Sequence, residues 1–186
     1  LGYAINNSDI LIFAIPAAFL KETLDQENIK SLNGKIIISA IKGIVPEIHD
    51  TVGKFFHKNY MVEENDLGMI AGPCHSEELA MEKLSYLTLA FNDLKKADYI
   101  ENKLSSRFIR ISKTDDLYGT EYAAVIKNIF AIANGISVGL GYGDNFQSVL
   151  IVNAIQELKR FLDVINLAER NINSSVYTGD LIVTAY

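Results

Sequence analysis

Five short apolar runs, at 10–15, 36–41, 68–71, 86–91 and 108–112, alternate with longer stretches of helical character, and the alternation stops near residue 113. Such alternation is the signature of α/β units built around a mainly parallel sheet. The three prolines, Pro16, Pro46 and Pro73, each follow one of the first three runs and precede a helical pattern, where a missing N–H costs little. They mark strand-to-helix turns. Ligands of open α/β sheets bind outside the carboxyl ends of the strands, so AIPAAF, AIKGIVPE and AGPCHSEE are expected on one rim.

Beyond Lys113-Thr114-Asp115-Asp116 the strand signal gives way to two long helical patterns, 117–140 and 145–170, joined by Gly141-Tyr142-Gly143-Asp144-Asn145. The second interleaves charged residues with Val149, Ile151, Val152, Ile155, Leu158, Phe161, Leu162 and Ile165, an amphipathic pattern. The expected architecture is therefore α/β: a partial Rossmann-like parallel sheet domain over 1–113, then an all-helical C-terminal domain over 114–186. With no internal repeat and no low-complexity linker, the boundary near 113–117 reads as a hinge between packed domains.

Within the first of these helices, Tyr122 to Leu140 is mostly apolar and carries one formal charge, Lys127. Desolvation disfavours an ammonium ion and lowers its pKa, which turns a lysine into a general base near neutral pH. The competing reading is a lysine that snorkels to water from the edge of a core helix. The run is close to the length of a membrane span. The embedded Lys127, Asn128, Asn134 and Ser137 and the small Ala123, Ala124, Ala131, Ala133 and Gly135 instead point to a helix buried in protein, with no membrane span.

The formal net charge of −6, without a basic run, does not fit a nucleic-acid partner, whereas a small anionic substrate needs only a few placed cations. The one cysteine, Cys74, cannot form an internal disulfide, and no secretory leader pattern opens the chain, so a cytoplasmic setting is expected. The chain starts at Leu1 and enters an apolar run almost at once, as a truncated sequence would.

Several residues are candidates for chemistry. Lys42, in Ile41-Lys42-Gly43 after the second run, can meet a substrate phosphate or a cofactor, and Gly43 lets the backbone approach closely; a solvated turn lysine reads equally well. Gly72-Pro73-Cys74-His75-Ser76-Glu77-Glu78 looks like a helix start, with Cys74 or Ser76 as its cap and two acids in the first turn. Adjacent Cys74 and His75 lack metal-site spacing, and no metal is expected. His49 and His57 read as surface or packing residues. Asp180, in Thr178-Gly179-Asp180-Leu181, either caps a helix or meets Lys127 if the helical part folds back.

Taken together, SAIKGI, AGPCHSEE, GTEYAAVIKNIFAIANGISVGLGYGDN and TGDLIVTAY occur in an order and at separations that resemble the NAD(P)-dependent glycerol-3-phosphate dehydrogenases of bacterial type, over nearly all of residues 9–186. The resemblance implies hydride exchange between NAD or NADP and a phosphorylated triose or glycerol: dihydroxyacetone phosphate on one side and glycerol 3-phosphate, used for phospholipid synthesis, on the other. It also implies Lys127 as the proton-transfer residue, and substrate contacts from Lys42, Gly72, Cys74, Asn128 and Asp180. Cofactor contacts are implied for Lys42 and Ser76, and for Phe13, Pro16 and Phe19 of an FxxPxxF segment; a homodimer is a further expectation.

Three features depart from that family pattern. Cys74 stands where serine or threonine is common, and Asn153-Ala154 where arginine-glycine is frequent. The Gly-rich first strand-turn-helix and the late arginine-asparagine pair have no counterpart in the sequence, so an interior fragment with little or no activity of its own is expected. A related two-domain hydroxyacid dehydrogenase and a non-catalytic scaffold of the same fold remain open on the sequence alone.

Overall fold

The computed structural model describes residues 1–165 and 168–185. Five strands form one sheet in sequence order: β1 (Ile10–Phe13), β2 (Ile36–Ser39), β3 (Leu67–Ala71), β4 (Ser85–Phe91) and β5 (Ile109–Thr114). Each falls on one of the five apolar runs. Helices α1 (Gly2–Asn6), α2 (Ala17–Gln26), α3 (Val52–Tyr60), α4 (Ser76–Ala80) and α5 (Leu94–Leu104) are distributed among the strands. Side chains alternate between the faces of β2, so neighbouring Ile37 and Ile38 enter different cores. Ile37 joins Phe13, Phe55, Phe56, Met69 and Leu117, and Ile38 joins Leu89, Phe91, Ala97 and Ile100.

The sheet is mixed rather than wholly parallel. β1, β2 and β3 are parallel, β3 and β4 are antiparallel, and β4 and β5 are parallel. The reversal has a local cause. The five residues of α4 rise only about 7.5 Å, too little to carry the chain back along a five-residue strand. The chain therefore re-enters the sheet from the rim it has just left. By contrast, the eleven residues of α5 make a full crossover between β4 and β5.

That reversal decides where the helical part begins. The carboxyl ends of β1 to β3 share one rim, and β5 ends at the other. Helix α6 (Leu117–Gly139) must run back past the sheet, and its 23 residues, about 35 Å, are long enough to do so. Asp116 caps it, its carboxylate accepting the Gly119 N–H at 3.1 Å. Gly141, at φ +84°, turns the chain into α7 (Asp144–Ile165). This helix ends short of the expected residue 170: Asn166 and Leu167 lie outside the described residues, and 168–170 are not helical. A π-helical turn (Ser175–Gly179) then leads into α8 (Asp180–Ala185).

Two expectations about these helices need correction. α6 is buried along one face only: Ile129, Ile132, Ile136 and Val138 are exposed in its second half. By length and composition it is long and apolar enough to cross a membrane, but its polar residues Glu121, Lys127, Asn134 and Ser137 are packed inside the protein. On α7 the buried stripe is Ile151, Ala154, Leu158 and Leu162, while Val149 and Val152 face outward.

Candidate active site

Three segments converge at the rim formed by β1, β2 and β3. Lys42 follows β2, Lys127 comes up on α6, and Asp180 opens α8. Lys127 Nζ lies 2.6 Å from Asp180 Oδ1, and the two side chains are 4% and 3% exposed. Lys42 Nζ stands 3.9 Å from the same oxygen and is one-third exposed. Asp180 thus holds the buried lysine and draws the exposed one toward it.

Burial lowers the Lys127 pKa to about 8, and Lys42 pushes it the same way, while Asp180 opposes both. A lysine in that state can take or give a proton near neutral pH. The other carboxylate oxygen, Asp180 Oδ2, is buried without a hydrogen-bond partner among the described residues. An acceptor left in this way is fit to receive a donor from a bound molecule.

Two cavities open beside Lys42. One, about 440 Å³, lies between Ala14–Ala17 after β1 and Ala40–Lys42 after β2. The other, about 210 Å³, is lined by Ala40, Lys42, Gly72, Cys74, Ser76 and neighbouring apolar residues. Gly72 has φ +112°, and a Cβ there would stand 3.2 Å from the Tyr86 carbonyl oxygen, so the backbone requires glycine. Lys42 borders both spaces. The residues present fit the cofactor and substrate ends of a dinucleotide enzyme: apolar walls after β1 and β2, a cation at their junction, and a buried ion pair beside it.

The other candidates distribute unevenly. Pro16 forms part of the larger cavity and precedes α2 as its N-cap, in extended conformation. Phe19 is exposed on α2. Phe13 is buried, its ring 4.7 Å from that of Phe56, and does not line either cavity. Asn128 is half-buried next to Lys127. Neither Cys74 nor Ser76 caps α4; His75 occupies the N-cap without a side-chain bond, and Ser76 donates to Glu77 at 3.0 Å. His57 Nδ1 sits 2.8 Å from the Val62 carbonyl oxygen, a local packing contact.

Two buried groups escaped the sequence reading. Glu121 reaches from α6 to the N-terminus of α3, accepting the Gly53 N–H at 2.7 Å. Burial raises its carboxyl pKa to about 7, against the pull of that N–H. The signal was a second ionisable residue at the very edge of the apolar run. Asp116, Arg170 and Tyr177 form the other group, with Arg170 Nε and the Tyr177 hydroxyl each 2.7 Å from Asp116 Oδ2. They lie 54 and 61 residues apart in the chain, and no spacing rule connects them.

Comparison with known proteins adds a second line. The family model for the N-terminus of NAD-dependent glycerol-3-phosphate dehydrogenase matches residues 1–97, and that for its C-terminus matches residues 116–186. A glycerol-3-phosphate dehydrogenase [NAD(P)+] of Exiguobacterium is 30% identical over 186 residues, covering 100% of this chain and 54% of the relative. One of Streptococcus suis is 28% identical over 185 residues, covering 99% of this chain and 55% of the relative. The chain therefore spans about half the length of the curated relatives it matches. Among solved structures, the Coxiella burnetii glycerol-3-phosphate dehydrogenase superposes with a TM-score of 0.89 at 24% identity, covering 100% of this chain and 56% of that one. The Dunaliella salina structure gives 0.88 at 23% identity, with 100% and 32% coverage. These likenesses show the fold.

Proposed function

Since the chain belongs to the NAD-dependent glycerol-3-phosphate dehydrogenase family, we propose that its natural gene product exchanges a hydride between NADH or NADPH and dihydroxyacetone phosphate, with Lys127 carrying the accompanying proton. The observation that supports this most directly is the buried Lys127–Asp180 pair, whose carboxylate also lies 3.9 Å from Lys42, the lysine that borders both cavities.

Oxidising a secondary alcohol requires two departures, a hydride from carbon and a proton from oxygen. A bound nicotinamide would supply the hydride acceptor in this direction and the hydride donor in the other. Neutral Lys127 takes the hydroxyl proton as the carbonyl forms, and Asp180 stabilises the resulting ammonium ion at 2.6 Å. In reduction the ammonium gives the proton to the developing alkoxide. Lys42, more exposed and bordering both cavities, supplies positive charge to the substrate phosphate and to the cofactor. Gly72 and Cys74 shape the substrate side, Asn128 adds a polar contact beside Lys127, and Ser76 and Pro16 border the cofactor.

The dinucleotide-binding part covers 1–113 and the helical substrate part 114–186. The product, glycerol 3-phosphate, feeds phospholipid synthesis in the cytoplasm. A homodimer completes the proposal; its support is the exposed apolar face with Ile132, Ile136, Leu140, Tyr142 and Phe146, and sedimentation at micromolar concentration tests it. The activity is tested by dihydroxyacetone-phosphate-dependent oxidation of NADH and NADPH by the natural gene product and its Lys127→Ala variant. Turnover abolished by the substitution is expected. Absence of turnover with both cofactors, or turnover indifferent to Lys127, overturns the reading.

A further inference from the structure

Thr120, Lys127 and Asn134 stand at seven-residue intervals on α6, and all three are buried. Seven residues are nearly two helical turns, so the three form one stripe along the helix. The stripe faces the chain from 177 to 185, which runs parallel to α6. Near Thr120 the hydroxyl of Tyr177 reaches Asp116, Lys127 holds Asp180, and Asn134 Nδ2 donates to the Ala185 carbonyl oxygen at 2.5 Å. The proton-transfer pair is thus the middle tie of three.

The first tie is built more heavily than a packing contact requires. Asp116 Oδ2 accepts both Arg170 Nε and the Tyr177 hydroxyl, and the Arg170 and Asp116 side chains are 4% and 1% exposed. The other oxygen of the same carboxylate caps α6 through Gly119. One side chain therefore fixes the start of the helix that carries Lys127 and the start of the segment that carries Asp180. Asp163 joins the cluster from α7, 3.5 Å from Arg170 Nη1.

Tyr177 lies inside the π-helical turn Ser175–Gly179, which leads directly into Asp180. A π turn holds one residue more than an α turn, so relaxing it to α geometry would rotate α8 by about 100° about the helix axis. Asp180 is the first residue of α8. The turn is lodged against the strand-end turn of the other layer, where a Cβ on Gly179 would stand 3.7 Å from Pro73.

We propose that Tyr177, through its hydroxyl on Asp116, is a positioning residue that holds the π turn and so keeps Asp180 in register against Lys127. The inference rests on the reading of Lys127 as the proton-transfer group. It assigns the hydroxyl a role in the rate, apart from its share in stability.

The test is Tyr177→Phe in the natural gene product, which keeps the ring and removes one oxygen. Measured together are thermal midpoint, kcat, KM for the nicotinamide, and the pH midpoint of the rate. The expected result is a kcat lower by about tenfold or more, since small misplacements of reacting groups are costly, with KM for the nicotinamide nearly unchanged and the pH midpoint displaced. An unchanged kcat and pH midpoint overturn the proposal, whatever happens to the thermal midpoint. Should Tyr177→Phe not fold, Asn134→Ala loosens the stripe at its other end, and the same readouts decide: a kcat loss of similar size supports the register clamp, and an unchanged kcat overturns it. A wild-type enzyme indifferent to Lys127→Ala would sink the underlying reading instead, and that control separates the two failures.

Discussion

Lys127 Nζ and Asp180 Oδ1 are 2.6 Å apart in a pocket that leaves neither side chain more than 4% exposed. The pair joins two residues 53 positions apart in the chain, one in the middle of a long helix and the other at the start of a short one. Breaking such a pair by removing one member leaves a buried charge without compensation, which is far costlier than removing both. Its arrangement makes the titration of Lys127 the most informative quantity to measure.

With its pKa lowered to about 8, chiefly by burial, Lys127 is mostly an ammonium ion at pH 7. The neutral base grows as pH rises. The rate of glycerol 3-phosphate oxidation should therefore increase through about pH 8 and level off above it, while the rate of carbonyl reduction should fall over the same interval. Lys127→Ala should lose at least two orders of magnitude in kcat and the pH dependence with it. Initial rates in both directions between pH 6 and pH 10, on the order of nine points each, check this.

Asp180→Asn isolates the partner. The carboxylate raises the Lys127 pKa against burial, and the uncharged amide removes that support. The pKa should fall further below its ordinary value, and the oxidation profile should move toward lower pH. The ammonium ion formed in the reaction also loses its counter-ion, so the plateau should drop by about tenfold or more. A profile that stays in place would mean that Asp180 does not set the charge of Lys127.

How far a sequence discloses its fold is set by the range of each interaction. Apolar runs report burial directly, and all five strands and the extent of α6 were legible from them. The mainly parallel sheet was legible too, and three of the four pairings are parallel; the one reversal was not, because alternation carries no sign, and the antiparallel β3–β4 pairing arises from the shortness of α4. Lys127 stood out as a charge inside an apolar run. Glu121 did not, since it sits at the boundary where a charge reads as a solvated end, and its burial depends on α3 docking from elsewhere in the chain. Phe13, implied beside a cofactor by a motif, packs its ring 4.7 Å from that of Phe56, a contact across sequence that no motif discloses.

Glu121 gives a prediction for stability. Its carboxyl titrates near pH 7 when folded, above the usual carboxylate range, because burial penalises the anion. Between about pH 4.5 and 7 the folded state then binds more protons than the unfolded state, so this group's contribution is full at acid pH and is lost as pH rises through about 7. Glu121→Gln keeps an acceptor for the Gly53 N–H and has no charge to bury. It should be more stable than wild type at pH 8, by up to about 3 kcal/mol, and nearly equal at pH 4.5. Groups facing Glu121 include Thr51 and Gly53 at the α3 N-terminus, Tyr118, Asp50 and Lys54; Lys54 also bonds Asp50 at 3.1 Å, and Asp50 titrates below the usual range, its bonds outweighing burial. Denaturation at both pH values decides, and a wild-type protein that gains stability from pH 5 to 8 would contradict the assignment.

Gly119→Ala tests the Asp116 hub without replacing any charged residue. A Cβ at this position would stand 2.1 Å from Asp116 Oδ2, closer than any real contact, so the carboxylate must move. In moving it gives up the Gly119 N–H of the α6 cap and disturbs its bonds to Arg170 and Tyr177. Loss of a cap alone costs about 1 kcal/mol, and partial loss of a buried ion pair adds to it, so a destabilisation of about 3 kcal/mol is expected. Alanine is otherwise the better helix former by about 1 kcal/mol, which makes the sign diagnostic. Were the substitution to stabilise the protein in urea denaturation, the carboxylate would have to be free to swing aside, and the hub could not be what fixes the start of α6.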